Sequence, residues 1–236
     1  MANQGDRKVQ IIGGVAVAVV VVGIVAAGWF GAQSAKPQAD ANAPLPKGVL
    51  SDTYGLPYQQ VDAAKSTLTI WEDPQCPYCG LFEATVGPEI TQLAEDGTIN
   101  VVYQMAAFLD EGLPQSKQSS RRAINALGCA VDQGAGNDFH QVLFAGQPET
   151  EGEGWSDAAL LTFGQVAGLK DAAFDAFETC VNDGTYLRWA DNGTQAFRDN
   201  NIPGTPYVTL DGTQIPDEVM GGDAGDIVAW IKENAK

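Results

Sequence analysis

The motif Cys76-Pro77-Tyr78-Cys79 constrains this chain more than any other stretch, because of what flanks it. Ser66 to Trp71 (STLTIW) is β-branched and apolar and reads as a short buried strand. Beyond Cys79, the apolar residues Leu81, Phe82, Val86, Ile90 and Leu93 recur at three- and four-residue steps, a helical pattern. Pro88 is expected to kink that helix and Gly97 to cap its end. Ile99 to Met105 (INVVYQM) reads as a second buried strand. Strand, Cys-x-x-Cys, helix and strand in that order make a βαβ unit.

From Pro114 to about Tyr186 strand signals are absent and the pattern is helical. Ala123, Ile124, Leu127 and Ala130 share one face, and Asp138 to Phe144 is a short helical stretch. Gly146 to Trp155 is a polar loop, and Ser156-Asp157 reads as a helix start before Leu160, Leu161, Phe163 and Val166. Lys170 to Val181 is a helix with Phe174 and Phe177 inward, and Leu187 to Asn200 is another. Pro206 to Leu210 is a strand, Asp211-Gly212 a tight hairpin turn, and Thr213 to Ile215 the return. Asp223 to Lys236 closes the chain as an amphipathic helix with Ile227, Trp230 and Ile231 inside. βαβ followed by α-β-β-α is the order of a thioredoxin core. The expected fold class is therefore α/β: a thioredoxin-like fold over 48–112 and 187–236, with an all-helical insertion at 113–186.

Ile11 to Ala32 is an uncharged run of 22 residues. A bilayer-spanning helix needs roughly 20 apolar residues, whereas the apolar region of a cleaved signal has about 7–15. The run is read as a transmembrane anchor. Arg7 and Lys8 precede it, so residues 1–10 stay in the cytoplasm, and Trp29 and Phe30 mark the far interface. The alternative is a cleaved signal ending near Ala32-Gln33-Ser34. Both readings export the chain beyond Ser34. The expected location is the cell membrane, single-pass, with the catalytic domain extracytoplasmic. Residues 33–47, rich in Ala and Pro, read as an extended tether.

The exported domain carries a strongly acidic balance: the whole chain has 13 Lys+Arg against 30 Asp+Glu, net −17. That excludes nucleic acid, since phosphate binding needs clustered cations. No dimerisation segment is visible, so a monomer is expected.

Cys76 would sit at the N-terminus of the helix, where unpaired N–H groups and the helix dipole stabilise a thiolate. The thiolate attacks a disulfide, and Cys79, one turn on, resolves the mixed disulfide. Pro77 sits where a missing N–H costs little. The competing readings are a structural disulfide and half of a metal site. A four-thiolate zinc site brings a second Cys-x-x-Cys, but Cys129 and Cys180 are isolated, and the lone His140 is expected at the surface. The redox reading is favoured, with no metal and no cofactor. Glu72 or Asp73 could shuttle protons to Cys79 if buried; the preferred reading of both is a solvated loop acid. Arg121-Arg122 reads as a solvated helix face. In an oxidising compartment Cys129 and Cys180 should form a structural disulfide worth about 2–4 kcal/mol; the alternative is two free buried thiols.

Ile202-Pro203-Gly204-Thr205-Pro206-Tyr207 precedes a strand, and alone it is an ordinary turn. Together, WEDPQCPYCG, the helical insertion and GTPYV resemble the DsbA-like thiol:disulfide oxidoreductases. The likeness is to the membrane-tethered, exported type of Gram-positive bacteria, especially actinobacteria, and covers roughly Ser66 to Lys236. It implies that Cys76 is the nucleophile, Cys79 the resolving thiol, and Thr205-Pro206 the cis-proline pair that binds an extended substrate strand. It further implies, as substrates, unfolded secreted proteins with free thiols, and a membrane redox partner, such as a quinone-linked one, for reoxidation. Tyr78 stands where the best-known members carry His, and Thr205 where they carry Val. Tyr78 removes one electrostatic partner of the thiolate and implies a weaker oxidant. The alternatives are a reductase or isomerase on the same fold, and a non-enzymatic thiol metal-binding module; the absence of Met- or His-rich tracts counts against the latter.

Overall fold

A computed structural model describes residues 39–59 and 64–236. In chain order the elements are β1 (Leu56–Gln59), β2 (Thr67–Glu72), α1 (Pro77–Thr85), α2 (Gly87–Glu95) and β3 (Asn100–Met105). They continue with α3 (Leu109–Gly112), α4 (Ser119–Asp132), α5 (Gly136–Ala145), α6 (Asp157–Val166), α7 (Asp171–Asp183) and α8 (Leu187–Asp199). The chain ends with β4 (Tyr207–Leu210), β5 (Thr213–Gln214), α9 (Asp217–Met220) and α10 (Ala224–Asn234).

The strands form one sheet in the order β1-β3-β2-β4-β5. β2 and β3 are parallel, with Ile70 opposite Tyr103, as a helical crossover requires. β4 runs antiparallel to β2, Ile70 facing Val208, and β5 returns from β4. Asp211 and Gly212, both at positive φ, make the tight turn between them. β1 is an edge strand paired antiparallel with β3. No sequence pattern marks it, because it has four residues and contains Pro57, which only an edge tolerates.

The helix after the cysteines is two helices, not one kinked helix. Val86 caps α1 through its N–H to Phe82 and opens α2, so Pro88 falls in a first turn, where no N–H is needed. Gly97, at φ 71°, ends α2. α4 is the axis of the helical region: Ala123, Ile124, Leu127 and Ala130 are fully buried in the same apolar core as Leu68, Ile70 and Ile90. Ser156 caps α6 by accepting from the Ala159 N–H. Phe177 is fully buried, whereas Phe174 and Trp230 are only partly covered. Arg121 and Arg122 do not form a free solvated face. Arg121 clamps Asp191 (2.6 and 2.9 Å), and Arg122 reaches Asp157 and the Trp155 carbonyl.

Two expectations for the N-terminal region need correction. Among the described residues no helix is long and apolar enough to cross a membrane. This stands against a single-pass membrane location; the 11–32 run itself lies outside the described residues. The tether at 33–47 is also too long. From residue 39 the chain is held on the domain by paired hydrogen bonds between Asp40 and Asn192 (2.8 and 2.9 Å) and by Lys47 on Asp132. Two of its residues pack against the domain: Ala43 and Pro46 are buried, while Ala41 and Pro44 are exposed.

Candidate active site

Cys76 is the N-cap of α1 and Pro77 its first residue. The sequence dictates this: Pro77 fixes a helical φ and needs no donor, so the helix begins there and leaves N–H groups aimed at the Cys76 sulfur. The Cys76 thiol donates to the Thr205 carbonyl oxygen at 3.3 Å. The Thr205-Pro206 peptide is cis. The loop before β4 thus faces the helix N-terminus, and both predicted substrate-binding residues lie beside the predicted nucleophile.

The two thiols, both unbridged, are held differently. The Cys76 pKa is lowered to about 6: the Cys79 thiol hydrogen bond acts most, with help from the Thr205 side chain and the N–H groups of Cys79 and Tyr78, against burial. The Thr205 hydroxyl is buried and otherwise without a hydrogen-bond partner, so a thiolate gives it one. Cys79 is fully buried, and burial, then its bond to Cys76, then the charge of Glu72 push its pKa well up. One turn of helix therefore separates a thiolate from a thiol. Tyr78 is 72% exposed. With Leu81, Thr205, Pro206, Met220 and Ile227 it lines a groove of about 350 Å³ beside Cys76.

Glu72 and Asp73 are both fully buried, which corrects the solvated reading of both. Burial follows from topology. Glu72 is the last residue of the central strand β2, and the insertion covers the segment after it. Asp73 is a hub: it accepts from the N–H groups of Gln75 (2.9 Å) and Leu109 (3.0 Å) and from the Ser120 hydroxyl. Burial raises its pKa to about 7 against those bonds. Gln75 reaches Asp110 and Ser120 at 2.9 and 2.8 Å. Gln147, after α5, donates to the carbonyls of Pro74 (2.7 Å) and Cys76 (2.9 Å). The insertion thus grips the cysteine loop at both ends.

His140 is 3% exposed, not a surface residue. Its Nε2 lies 2.8 Å from Glu72 and its Nδ1 3.9 Å from Glu83. Burial lowers its pKa, so the ring is neutral at neutral pH and its contact with Glu72 is a hydrogen bond rather than an ion pair. Sequence reasoning missed Glu83, Gln147, Asp110 and Ser120. For Glu83 a signal existed: it follows Cys79 by four residues, so it shares the buried face of α1. Gln147 carries no such signal, because its partners are backbone carbonyls. Cys129 of α4 and Cys180 of α7 are bridged, with Cα atoms 5.7 Å apart.

An N-capping thiol, a buried second thiol one turn on and a facing cis-proline loop on a βαβ-ββα sheet define a thiol–disulfide exchange site. The thioredoxin family model matches residues 61–228, and the chain belongs to that family. Its likeness within the family is to the DsbA-like thiol-disulfide oxidoreductases. DsbA of Mycobacterium tuberculosis, in reduced form, is 26% identical with a TM-score of 0.59, over 83% of this chain and 89% of that one. MdbA of Actinomyces oris, a thiol-disulfide oxidoreductase, shares the fold: TM-score 0.68, 22% identity, over 85% of this chain and 95% of its own. The serine/threonine-protein kinase PknE of M. tuberculosis is 30% identical over 161 residues, 64% of this chain. The chain spans only 28% of that kinase's length.

Proposed function

We propose that this DsbA-like protein disulfide oxidoreductase introduces disulfides into unfolded, exported proteins. The observation that carries the reading is the opposed state of the two sulfurs at the head of α1: Cys76 lowered to about 6 and set against Thr205, Cys79 buried and protonated. In the oxidised enzyme a substrate thiolate attacks the Cys76 sulfur and Cys79 leaves as the thiol. The second substrate thiolate then attacks the substrate sulfur of the mixed disulfide and expels Cys76 as a thiolate. Two electrons pass from substrate to enzyme, and a separate redox partner removes them; a quinone-linked membrane protein is the class proposed. A leaving group stabilised as thiolate drives the second step forward.

Thr205 and Pro206 are assigned to the substrate strand, which lies along the groove beside Tyr78. Glu72 is assigned the proton traffic of Cys79, on its burial at the end of β2. Core segments 48–112 and 187–236 carry the chemistry, and insertion 113–186 holds the cysteine loop through Gln147 and Ser120. The Cys129–Cys180 bridge supports an oxidising compartment, where such bonds persist.

The test mixes the oxidised protein with reduced, unfolded ribonuclease and follows recovery of ribonuclease activity. Disulfides should form stoichiometrically in a single turnover. Failure to oxidise ribonuclease together with ready reduction of insulin would establish the reductase reading instead.

A further inference from the structure

Behind α1, on the side away from the substrate groove, lies a cavity of about 540 Å³. Tyr58, Gly80, Glu83, Tyr103, His140 and Phe144 line it. Glu83 and His140 on its wall and the buried Glu72 each offer one ligand atom, and all three atoms lie within 4.8 Å of one another. Glu72 is completely buried, and the side chains of Glu83 and His140 are 8% and 3% exposed. One oxygen of Glu72 and one of Glu83 have no hydrogen-bond partner. Orphaned carboxylate oxygens are costly in a dry interior and call for a partner.

We propose that Glu72, Glu83 and His140 bind a divalent cation of the zinc class, with the cavity as its access path. Burial holds the free Glu72 and Glu83 carboxyls above their ordinary range, and a divalent ion displaces their protons: two carboxylates and a neutral imidazole then sum to −2, which the ion cancels. Ligand type supports it, since one imidazole with two carboxylates suits zinc better than calcium or magnesium. Spacing supports it, because side-chain shifts of about 1 Å bring three such atoms to tetrahedral spacing around zinc. The ion takes over from the His140–Glu72 hydrogen bond, and its fourth position opens to water in the cavity. No cysteine takes part, so the absence of a second Cys-x-x-Cys does not count against this site. The bound ion occupies Glu72 and so withdraws that acid from proton traffic with Cys79; the ion is a brake on exchange, not a participant.

The test uses the full chain with Cys76 and Cys79 oxidised, so that no free thiol can bind metal. Its failure therefore leaves the redox reading standing. Titration with zinc alone should give one equivalent bound at micromolar concentration. X-ray absorption at the zinc edge should show oxygen and imidazole nitrogen and no sulfur. Glu83→Gln and His140→Gln should each weaken binding more than about 100-fold, beyond the loss usual for an outer-shell partner. Absence of stoichiometric binding by the wild-type protein overturns the proposal, whatever the variants do. So does a sulfur-containing shell, or zinc held equally tightly by both variants.

Discussion

Cys76 and Cys79 stand three residues apart at the head of one helix; Cys129 and Cys180 stand 51 apart and join α4 to α7. Cys76, Cys79 and Cys129 are buried and Cys180 partly so, yet the pairs are chemically unlike. Cys76 caps α1 and meets unpaired N–H groups, a thiol donor and a hydroxyl. Cys129 and Cys180 lie within helices, where the neighbouring N–H groups are spent on the helix ladder. A thiolate at either would have no comparable donors. Position along a helix, more than burial, decides which sulfur pair exchanges and which one stays.

The comparison breaks first at Cys76. Cys76→Ala should abolish oxidation of ribonuclease, whereas Cys79→Ala should accumulate mixed disulfides visible on non-reducing gels. Mixed disulfides from Cys76→Ala instead would exchange the roles. The second break is at the other pair. Cys129→Ala/Cys180→Ala opens a loop of 51 residues and should destabilise the fold by about 2–4 kcal/mol in denaturant. The Cys76 pKa should stay unchanged. A double variant as stable as wild type would show that the bridge constrains nothing.

The contrast between the pairs was half visible in the sequence. The Cys-x-x-Cys at a strand-to-helix junction carries its own local physics, because Pro77 and the apolar steps from Leu81 onward fix where the helix begins. The order of strands and helices was readable for the same reason. What escaped was set by distant segments. His140 looks isolated on its own helix, and only the packing of α5 beside α1 brings it to Glu72. Asp73 reads as a loop acid until Leu109 and Ser120 close over it. β1 and the single-turn helices α3 and α9 are too short to show a period.

A pH series sharpens the comparison further. The reduced protein's Cys76 should alkylate with a midpoint near its pKa of about 6. Below it the rate should rise about tenfold per pH unit, and well above it the rate should level. Cys79→Ala removes the hydrogen bond that contributes most, so its midpoint should move upward. Stability follows the same sign. The folded pKa lies below the usual 9, so the thiolate stabilises the reduced fold fully above about pH 9. That contribution declines as pH falls toward about 6 and is gone below it. Cys76→Ser should lose this slope, and the oxidised form should never show it.

The smallest effect tests how the exchanging pair is held, since no covalent bond does for it what Cys129–Cys180 does for the scaffold. Gln147 spans from the end of α5 to the carbonyls of Pro74 and Cys76. Gln147→Ala removes both bonds, and the cost should be about 1 kcal/mol. Gly80 explains why the reach is open. A Cβ there would lie 2.1 Å from the Gln147 side-chain oxygen, so Gly80→Ala must push that side chain away. Gly80→Ala thus loses the same two bonds, yet gains about 0.5–1 kcal/mol of helix propensity within α1. Its net effect should be close to zero, smaller than that of Gln147→Ala. In the double variant the bonds are already lost, and Gly80→Ala should stabilise by its full propensity gain. Strict additivity in urea denaturation would show that Gln147 does not grip the loop.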